Sequence, residues 1–222
     1  MARNGYNEGC LAAHALDLVG DRWAILVLRE LMLGPKRFGM IKAGMPGIAT
    51  NVLTQRLADL EAGGLLERRL LPPPAAVAVY ALTPGGLGTR PIIDALCRWG
   101  VEQPGHDPRK FISPTGLMLS MSVMVRPAET VEDAAFTMGD ESFTARLGPE
   151  GFTSTPGPGT EVPLRFEGSA NALAAAVYGP APLAAHLQAG NVRLIGDAAR
   201  AQRFIDHFLL RRGTALAPGV AG

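Results

Sequence analysis

The stretch formed by residues 36–64 constrains the fold most, because it predicts two helices joined by a tight turn. The turn is rich in Gly and Pro, and two glycines close the longer, second helix. At a period of 3.6 residues, three leucines of the second helix share one face, namely Leu53, Leu57 and Leu60. The opposite side carries short polar side chains and one alanine, namely Asn51, Thr54, Gln55 and Ala58. The pattern predicts a helix with one buried face and one polar face.

The polar face has the chemistry to read DNA. Asn and Gln side chains can pair bidentately with adenine, and short side chains allow a close approach to base edges. The alternative is an ordinary amphipathic surface helix of a small bundle, because a helix-turn-helix pattern without its context is weak evidence. The flanking sequence separates these two interpretations.

The flanks of this stretch supply the other parts of a winged helix. Gly20 ends one helical segment and Asp21 is placed to cap the next, in which Arg29 and Glu30 are expected on a charged edge. The predicted elements are helices over residues 10–19 and 22–33, the helix-turn-helix, β-prone runs over residues 65–70 and 77–82, and a helix that begins near Pro91. The apolar stripe expected on this last helix is formed by Ile92, Leu96 and Trp99. This order is typical of a winged helix and favours the DNA-binding interpretation.

Composition bounds the class of protein. The 222 residues carry a formal net charge of +1 and are 47% hydrophobic, which fits one large or two small globular domains. Two cysteines, Cys10 and Cys97, make neither a disulfide framework nor a metal-ligand set. The first residues lack the apolar core of a secretory signal, and the longest uncharged run is too short to span a bilayer. We therefore expect a cytoplasmic protein without a membrane partner.

The first half of the chain resembles a known family of regulators. The segments GDRW, LRELMLGPKRF, LTQRLADLEAGGLLERR and YALTPGG are similar to those of the HxlR-type winged-helix transcriptional regulators, and the resemblance covers residues 9–101. It implies a homodimer built through the first and last helices of the domain. It also implies a double-stranded DNA operator as partner, with the second helix of the helix-turn-helix, the reading helix, in the major groove.

The resemblance assigns roles to individual residues of this sequence. The base-facing residues would be Thr50, Asn51, Thr54 and Gln55, and the candidates for phosphate contacts are Arg37, Lys42 and Arg56, with Arg68 and Arg69 at the base of the wing. Arg56 has an alternative, since it could pair with Asp59 instead. The wing tip, residues 71–79, departs from the usual pattern because it carries no basic residue.

Cys10 sits where many relatives carry a cysteine, and in some of them that thiol senses oxidants or electrophiles. A thiol near a helix N-terminus has its thiolate favoured by the helix dipole. The alternative is a small buried hydrophobe at the dimer seam.

The second half, residues 112–213, predicts helices and short strands in a different order, with Asp197 as the cap of a last helix that runs through Leu210. The segments LRFEGSANALAAAVYG, AGNVRLIGD and AARAQRFIDHFLL resemble the sterol-carrier-protein-type domain, which implies a sheet and covering helices around an apolar cavity. The large or adaptable side chains expected to line a ligand pocket are Met118, Met121, Phe136, Phe143, Phe166, Tyr178 and Phe204. The alternative is a filled core in which these residues only pack, in a domain that serves dimerisation.

No assembled catalytic site is visible in the sequence. There is no phosphate-binding loop and no His-Glu pair at zinc spacing, and the four histidines are scattered. We therefore expect no enzyme activity, no metal and no cofactor.

The whole sequence predicts an α+β chain, with an N-terminal winged helix-turn-helix followed by a smaller-sheet α+β domain of sterol-carrier type. The expected limits are a DNA-binding domain over residues 1–103, a linker over 104–111, a ligand-binding or dimerisation domain over 112–213, and a flexible tail over 214–222. The predicted function is a dimeric transcriptional regulator controlled by a small apolar ligand. Two alternatives stay open: a redox-responsive regulator that signals through Cys10, and a hydrophobic-ligand carrier whose winged helix does not bind DNA.

Overall fold

The computed structural model describes residues 5–72 and 76–210, so the predicted tail over residues 214–222 lies outside the described part of the chain. The chain forms two compact units, Met1–Ile93 and Asp94–Gly222. Their boundary falls inside a helix, ahead of the predicted linker, and the domain limits given above stay a prediction.

The first unit has the element order of a winged helix. Its elements, with the helix that reaches the second unit, are α1 (Leu11–Val19), α2 (Ala24–Leu31), α3 (Phe38–Ala43), α4 (Thr50–Ala62), β1 (Leu66–Leu70), β2 (Ala78–Leu82), α5 (Pro84–Leu87) and α6 (Arg90–Glu102). The predicted order of helix, helix, helix-turn-helix, strand pair and helix is therefore confirmed.

Apolar side chains from several helices fix the position of α4. Val27 and Leu28 of α2, Ile41 of α3, and Leu53 and Leu57 of α4 are all buried. Burial of such side chains is the main favourable contribution to folding, and it sets which face of α4 is left outside.

The wing is an antiparallel strand pair, to which one further residue is bridged. β1 pairs with β2 from Leu66 opposite Leu82 to Leu70 opposite Ala78. Lys36 pairs with the other side of β2. Its N–H donates to the Tyr80 carbonyl oxygen at 3.0 Å, and its carbonyl oxygen accepts from the Tyr80 N–H at 2.8 Å. The wing is thereby attached to the residue that precedes Arg37 and α3.

The second unit combines one mixed sheet with helices. Its further elements are α7 (Pro114–Val123), β3 (Glu132–Met138), β4 (Glu141–Gly148), β5 (Gly151–Pro156), β6 (Leu164–Gly168), α8 (Ala170–Tyr178), α9 (Leu183–Gln188), β7 (Val192–Ile195) and α10 (Ala198–Ile205). The strand order is β5-β4-β3-β6-β7, with β3 parallel to β6 and the other neighbours antiparallel. The predicted α+β class is confirmed.

The last helix ends earlier than the sequence pattern predicts. Asp197 caps α10 as expected, since its carboxylate accepts from the Arg200 N–H at 2.7 Å. The helix stops at Ile205 and does not continue to Leu210. The physical reason is a competing pairing, because Phe208 bridges to Val125 and the Leu209 N–H donates to the Met124 carbonyl oxygen at 3.0 Å.

A cluster of aromatic rings fills the interior on one side of this sheet. Phe136 and Phe166 lie on neighbouring strands and stack with ring centroids 5.0 Å apart. Phe204 of α10 lies within 6.3 Å of the first ring and 5.9 Å of the second. Such offset and tilted pairs contribute beyond the area that they bury.

In neither described range, residues 5–72 nor 76–210, is a helix long and apolar enough to span a membrane.

Candidate DNA-binding site

The predicted base-facing residues lie together on the exposed side of α4. Thr50, Asn51, Thr54 and Gln55 are all exposed, while the three leucines on the opposite side are buried. The Thr54 hydroxyl donates to the Thr50 carbonyl oxygen at 3.0 Å, and the Gln55 amide donates to Asp59 Oδ1 at 2.7 Å. The structure therefore presents four polar side chains on one helical surface.

Lys42 closes the turn that precedes α4. Its ammonium group donates to the Ile48 carbonyl oxygen, and its side chain is half-buried. Lys42 is predicted to contact phosphate, but in this structure its side chain bonds to the protein's own backbone. Arg37, which stands at the start of α3, is exposed.

Arg56 forms the ion pair with Asp59 that the sequence offers as an alternative to a phosphate contact, and it forms a second ion pair with Asp21. Its guanidinium lies 2.9 Å from Asp59 Oδ2 and 3.2 Å from Asp21 Oδ2, and the side chain is only 15% exposed. A guanidinium engaged by two carboxylates is turned toward the protein, so we leave Arg56 out of the contacts proposed below.

The basic residues at the base of the wing are exposed. The Arg68 N–H donates to Glu61 Oε1 of α4 at 3.2 Å, which attaches β1 to that helix. Arg69 forms an exposed ion pair with Glu67. Part of the predicted wing tip, residues 73–75, lies outside the described residues.

Glu30 contacts Arg29, but it is buried, so the expectation of an exposed charged edge is wrong. Its side chain has no exposed area, and its carboxylate pairs with Arg29 at 2.7 Å and with the Lys36 ammonium at 3.1 Å. Arg29 also donates to the Gly44 carbonyl oxygen at 3.3 Å. A Cβ at position 44 would overlap the Glu30 carboxylate. One buried carboxylate thus connects α2, the residue Lys36 that is bridged to β2, and the turn ahead of α4.

Cys10 is exposed in the single chain and stands at the N-cap of α1. The backbone N–H groups of Ala13 and Ala12 stabilise its thiolate and lower the pKa of the thiol. The predicted alternative, burial at a dimer seam, stays a prediction.

Two helices of the N-terminal region expose apolar side chains. On α1, Leu11 is 86% exposed and Leu16 is also exposed. On α6, Trp99 is 64% exposed, and Ile92 and Leu96 are exposed beside it. The sequence predicted an apolar stripe on α6, and in the single chain that stripe faces outward.

The predicted pocket residues separate into two groups. All of the set except Tyr178 are buried, and Phe136, Phe166 and Phe204 contact one another. The Tyr178 hydroxyl lies 2.9 Å from Ser120 Oγ, and burial raises the pKa of that hydroxyl above its usual range. Tyr178 also lines a separate surface groove of about 550 Å³, together with Arg126, Pro182, Gln202, Phe208 and Leu209.

One buried hydroxyl group in the second unit lacks a hydrogen-bond partner. Thr115 Oγ1 of α7 is buried, and no group in the described part of the chain bonds to it. Buried polar atoms of this kind are rare in folded proteins. Nowhere in residues 5–72 and 76–210 do three or more His, Cys, Asp or Glu side chains form a group that could hold a metal ion.

Comparison with known proteins identifies the family. Residues 18–107 match the model of the HxlR-like helix-turn-helix family. An HTH-type transcriptional regulator of Synechocystis sp. is 37% identical over 93 residues, which are 42% of this chain and 69% of that protein. The chain belongs to the HxlR-like helix-turn-helix family. A second HTH-type transcriptional regulator, from Methanothermobacter thermautotrophicus, is 37% identical over 97 residues, or 44% of this chain and 74% of that protein.

Among solved structures, the reduced form of the transcriptional regulator YodB from B. subtilis is 31% identical. The match covers 45% of this chain and 100% of YodB, with a TM-score of 0.40. The HxlR-like relatives are transcriptional regulators, and the helix-turn-helix of the family implies DNA binding.

Proposed function

We propose that this HxlR-like chain is a dimeric transcriptional regulator that places α4 in the major groove of an operator. The observation that carries the proposal is the exposed polar face of α4. Asn51 and Gln55 have the donor and acceptor pair that fits adenine, and Thr50 and Thr54 flank them on the same surface. Arg37, Arg68 and Arg69 are exposed around this face and would contact phosphates.

The proposed dimer uses the apolar faces of α1 and α6. Exposed side chains such as Leu11 and Trp99 cost free energy in water unless a second surface covers them. A twofold dimer through these helices would present two copies of α4 to two half-sites of a pseudo-palindromic operator.

Removal of the reading amides tests the assignment of the face. We expect the double variant Asn51→Ala/Gln55→Ala to lose roughly 1–3 kcal/mol of specific binding free energy for each base contact removed. Affinity for mixed-sequence DNA should stay close to that of the unaltered protein, because phosphate contacts supply nonspecific binding. Fluorescence anisotropy measures the affinity for a selected operator and the affinity for mixed-sequence DNA.

Gln188→Ala/Asn191→Ala is the matched control, since it removes two exposed amides from the second unit. Operator affinity that is equal in the Asn51/Gln55 variant, the control and the unaltered protein would refute the proposed reading face.

The second part of the proposal is control by a small apolar ligand in a sterol-carrier-like second domain. Its support is the α+β architecture of the second unit together with the buried Thr115 hydroxyl. That hydroxyl has no hydrogen-bond partner in the described part of the chain and could bond a polar group of a ligand. Native mass spectrometry of the purified protein should reveal a dimer with a noncovalent small adduct that leaves on denaturation.

A protein that stays without an adduct after incubation with a panel of fatty acids and sterols would refute ligand control by such molecules. Ligand uptake by a protein that retains no DNA would favour the carrier alternative.

Redox control through Cys10 is a second candidate, favoured by the exposure of the thiol and the lowered pKa that the backbone N–H groups give it. Under this candidate, diamide treatment reduces operator binding of the unaltered protein and of Cys97→Ser, while Cys10→Ser keeps its affinity. An equal response in Cys10→Ser would exclude it.

A further inference from the structure

We infer that Arg22 is a DNA phosphate contact, placed on the side of α4 opposite the wing. This inference rests on the proposed binding of DNA by α4. It concerns a residue outside the predicted contact set, and it gives the domain a second point of attachment to the DNA backbone.

The exposed face of α4 has two distinct flanks. Asn51, Gln55 and Ala58 follow one another at helical spacing along its centre. Thr54 and Glu61 are seven residues apart and share one flank, whereas Arg56 and Asp59 are three residues apart and share the other.

The wing occupies the first flank. The Arg68 N–H donates to Glu61 Oε1 at 3.2 Å, which holds the first strand of the wing beside that edge of α4. Arg68 and Arg69 are therefore placed for contacts to the DNA backbone on this side of the groove.

The segment Asp21 to Trp23 occupies the second flank. Asp21 Oδ2 pairs with Arg56 at 3.2 Å, and Asp21 Oδ1 accepts from the Trp23 N–H at 3.0 Å. The Trp23 ring lies against the turn that leads into α4, because a Cβ built at Gly47 would be 3.4 Å from that ring. The segment is thus held to α4 at one end and to the preceding turn at the other.

Arg22 lies at the centre of this anchored segment and is exposed. Its guanidinium carbon is 5.1 Å from the centroid of the Trp23 ring, an arrangement in which the ring stabilises the cation and limits its motion. A stacked guanidinium keeps N–H donors in a planar fork that matches phosphate oxygens.

The electrostatics of the domain give this contact its importance. Residues 71–79 of the wing carry no basic side chain, and Lys42 and Arg56 are engaged within the protein. Phosphate neutralisation dominates the affinity of most DNA-binding proteins, so a cation on the second flank would supply attraction that the wing tip lacks.

The test is the salt dependence of DNA binding by the full chain. Arg22→Gln removes one phosphate contact from each protomer, so for the proposed dimer we expect the slope of log affinity against log salt to fall in magnitude by about 1.8. At physiological salt this slope corresponds to a loss of roughly 30-fold, equal on a selected operator and on mixed-sequence DNA. Arg203→Gln, which removes an exposed arginine from α10, should leave the slope unchanged.

Arg22→Lys separates charge from packing, because lysine keeps the cation and loses the planar fork. It should restore the salt slope. An unchanged slope in Arg22→Gln, or a lowered slope that Arg22→Lys does not restore, would overturn the inference. If instead the unaltered protein shows no salt-dependent binding to any duplex, the proposed function itself fails.

Discussion

At the scale of single residues, the buried charges of the first unit position the proposed site. Glu30 has two cationic partners, Arg29 and Lys36, and each of them is also bonded to the backbone of another element. Removal of one partner from a buried ion pair leaves an uncompensated charge, which costs far more than the loss of an exposed pair.

Glu30→Gln should therefore destabilise the first unit by about 3 kcal/mol, because it removes the buried negative charge that Arg29 and Lys36 face. Urea unfolding followed through the fluorescence of Trp23, with Trp99 replaced by Phe in every protein compared, measures this change. Glu67→Gln, which breaks an exposed pair with Arg69, is the control and should cost less than about 1 kcal/mol. Equal losses in the two variants would contradict the structural role assigned to Glu30.

Helical periodicity predicts which residues of the candidate site are exposed, but it does not predict contacts between different helices. The polar face of α4 follows from helical periodicity alone, so Asn51 and Gln55 are found without a structure. The pairing of Arg56 with Asp21 joins two helices and is outside the reach of a local pattern. Glu30 has a local signal, since it is three residues from the buried Val27 and adjacent to the buried Leu31. A charged side chain is nevertheless expected at the surface, because Glu is almost never fully buried unless it is paired.

At the scale of elements, α1 and α6 are the surfaces that the proposed dimer must cover. Trp99 is the largest exposed apolar side chain of α6, and large aromatic side chains dominate binding energy at interfaces. The prediction of an apolar stripe on α6 came from sequence spacing, but spacing does not tell whether the stripe faces a core or a partner.

Trp99→Lys should weaken the dimer by about 2 kcal/mol or more, which is roughly a 30-fold increase in the dissociation constant. Sedimentation velocity over a range of protein concentrations measures that constant. Phe111→Lys is the matched control, because Phe111 is also an exposed aromatic residue but lies outside α1 and α6. A Trp99→Lys protein that stays as dimeric as this control would exclude the proposed interface.

The predicted linker is another element that sequence composition describes only in part. Residues 104–111 contain two prolines and a glycine, and the sequence predicts a linker there. In the structure Asn171 of α8 bonds its C-terminal end, with its amide donating to the Lys110 carbonyl oxygen at 2.8 Å and accepting from the Ile112 N–H at 3.3 Å. These partners are about 60 residues apart in the chain, so no local pattern reveals them.

At the scale of the whole molecule, a net charge of +1 gives little general attraction to DNA. Affinity must then come from a few placed cations, and sequence preference from α4. Two copies of that helix, related by a twofold axis, would multiply the preference of one half-site by that of the other.

Selection from random double-stranded DNA by the full-length protein tests this account most directly. The account predicts enrichment of a pseudo-palindrome whose two half-sites lie about 10–10.5 base pairs apart, or a multiple of that spacing, as a symmetric pair of reading helices requires. A selected pool that stays as diverse as the starting pool, or that converges on a single asymmetric half-site, would contradict a dimeric operator-reading regulator.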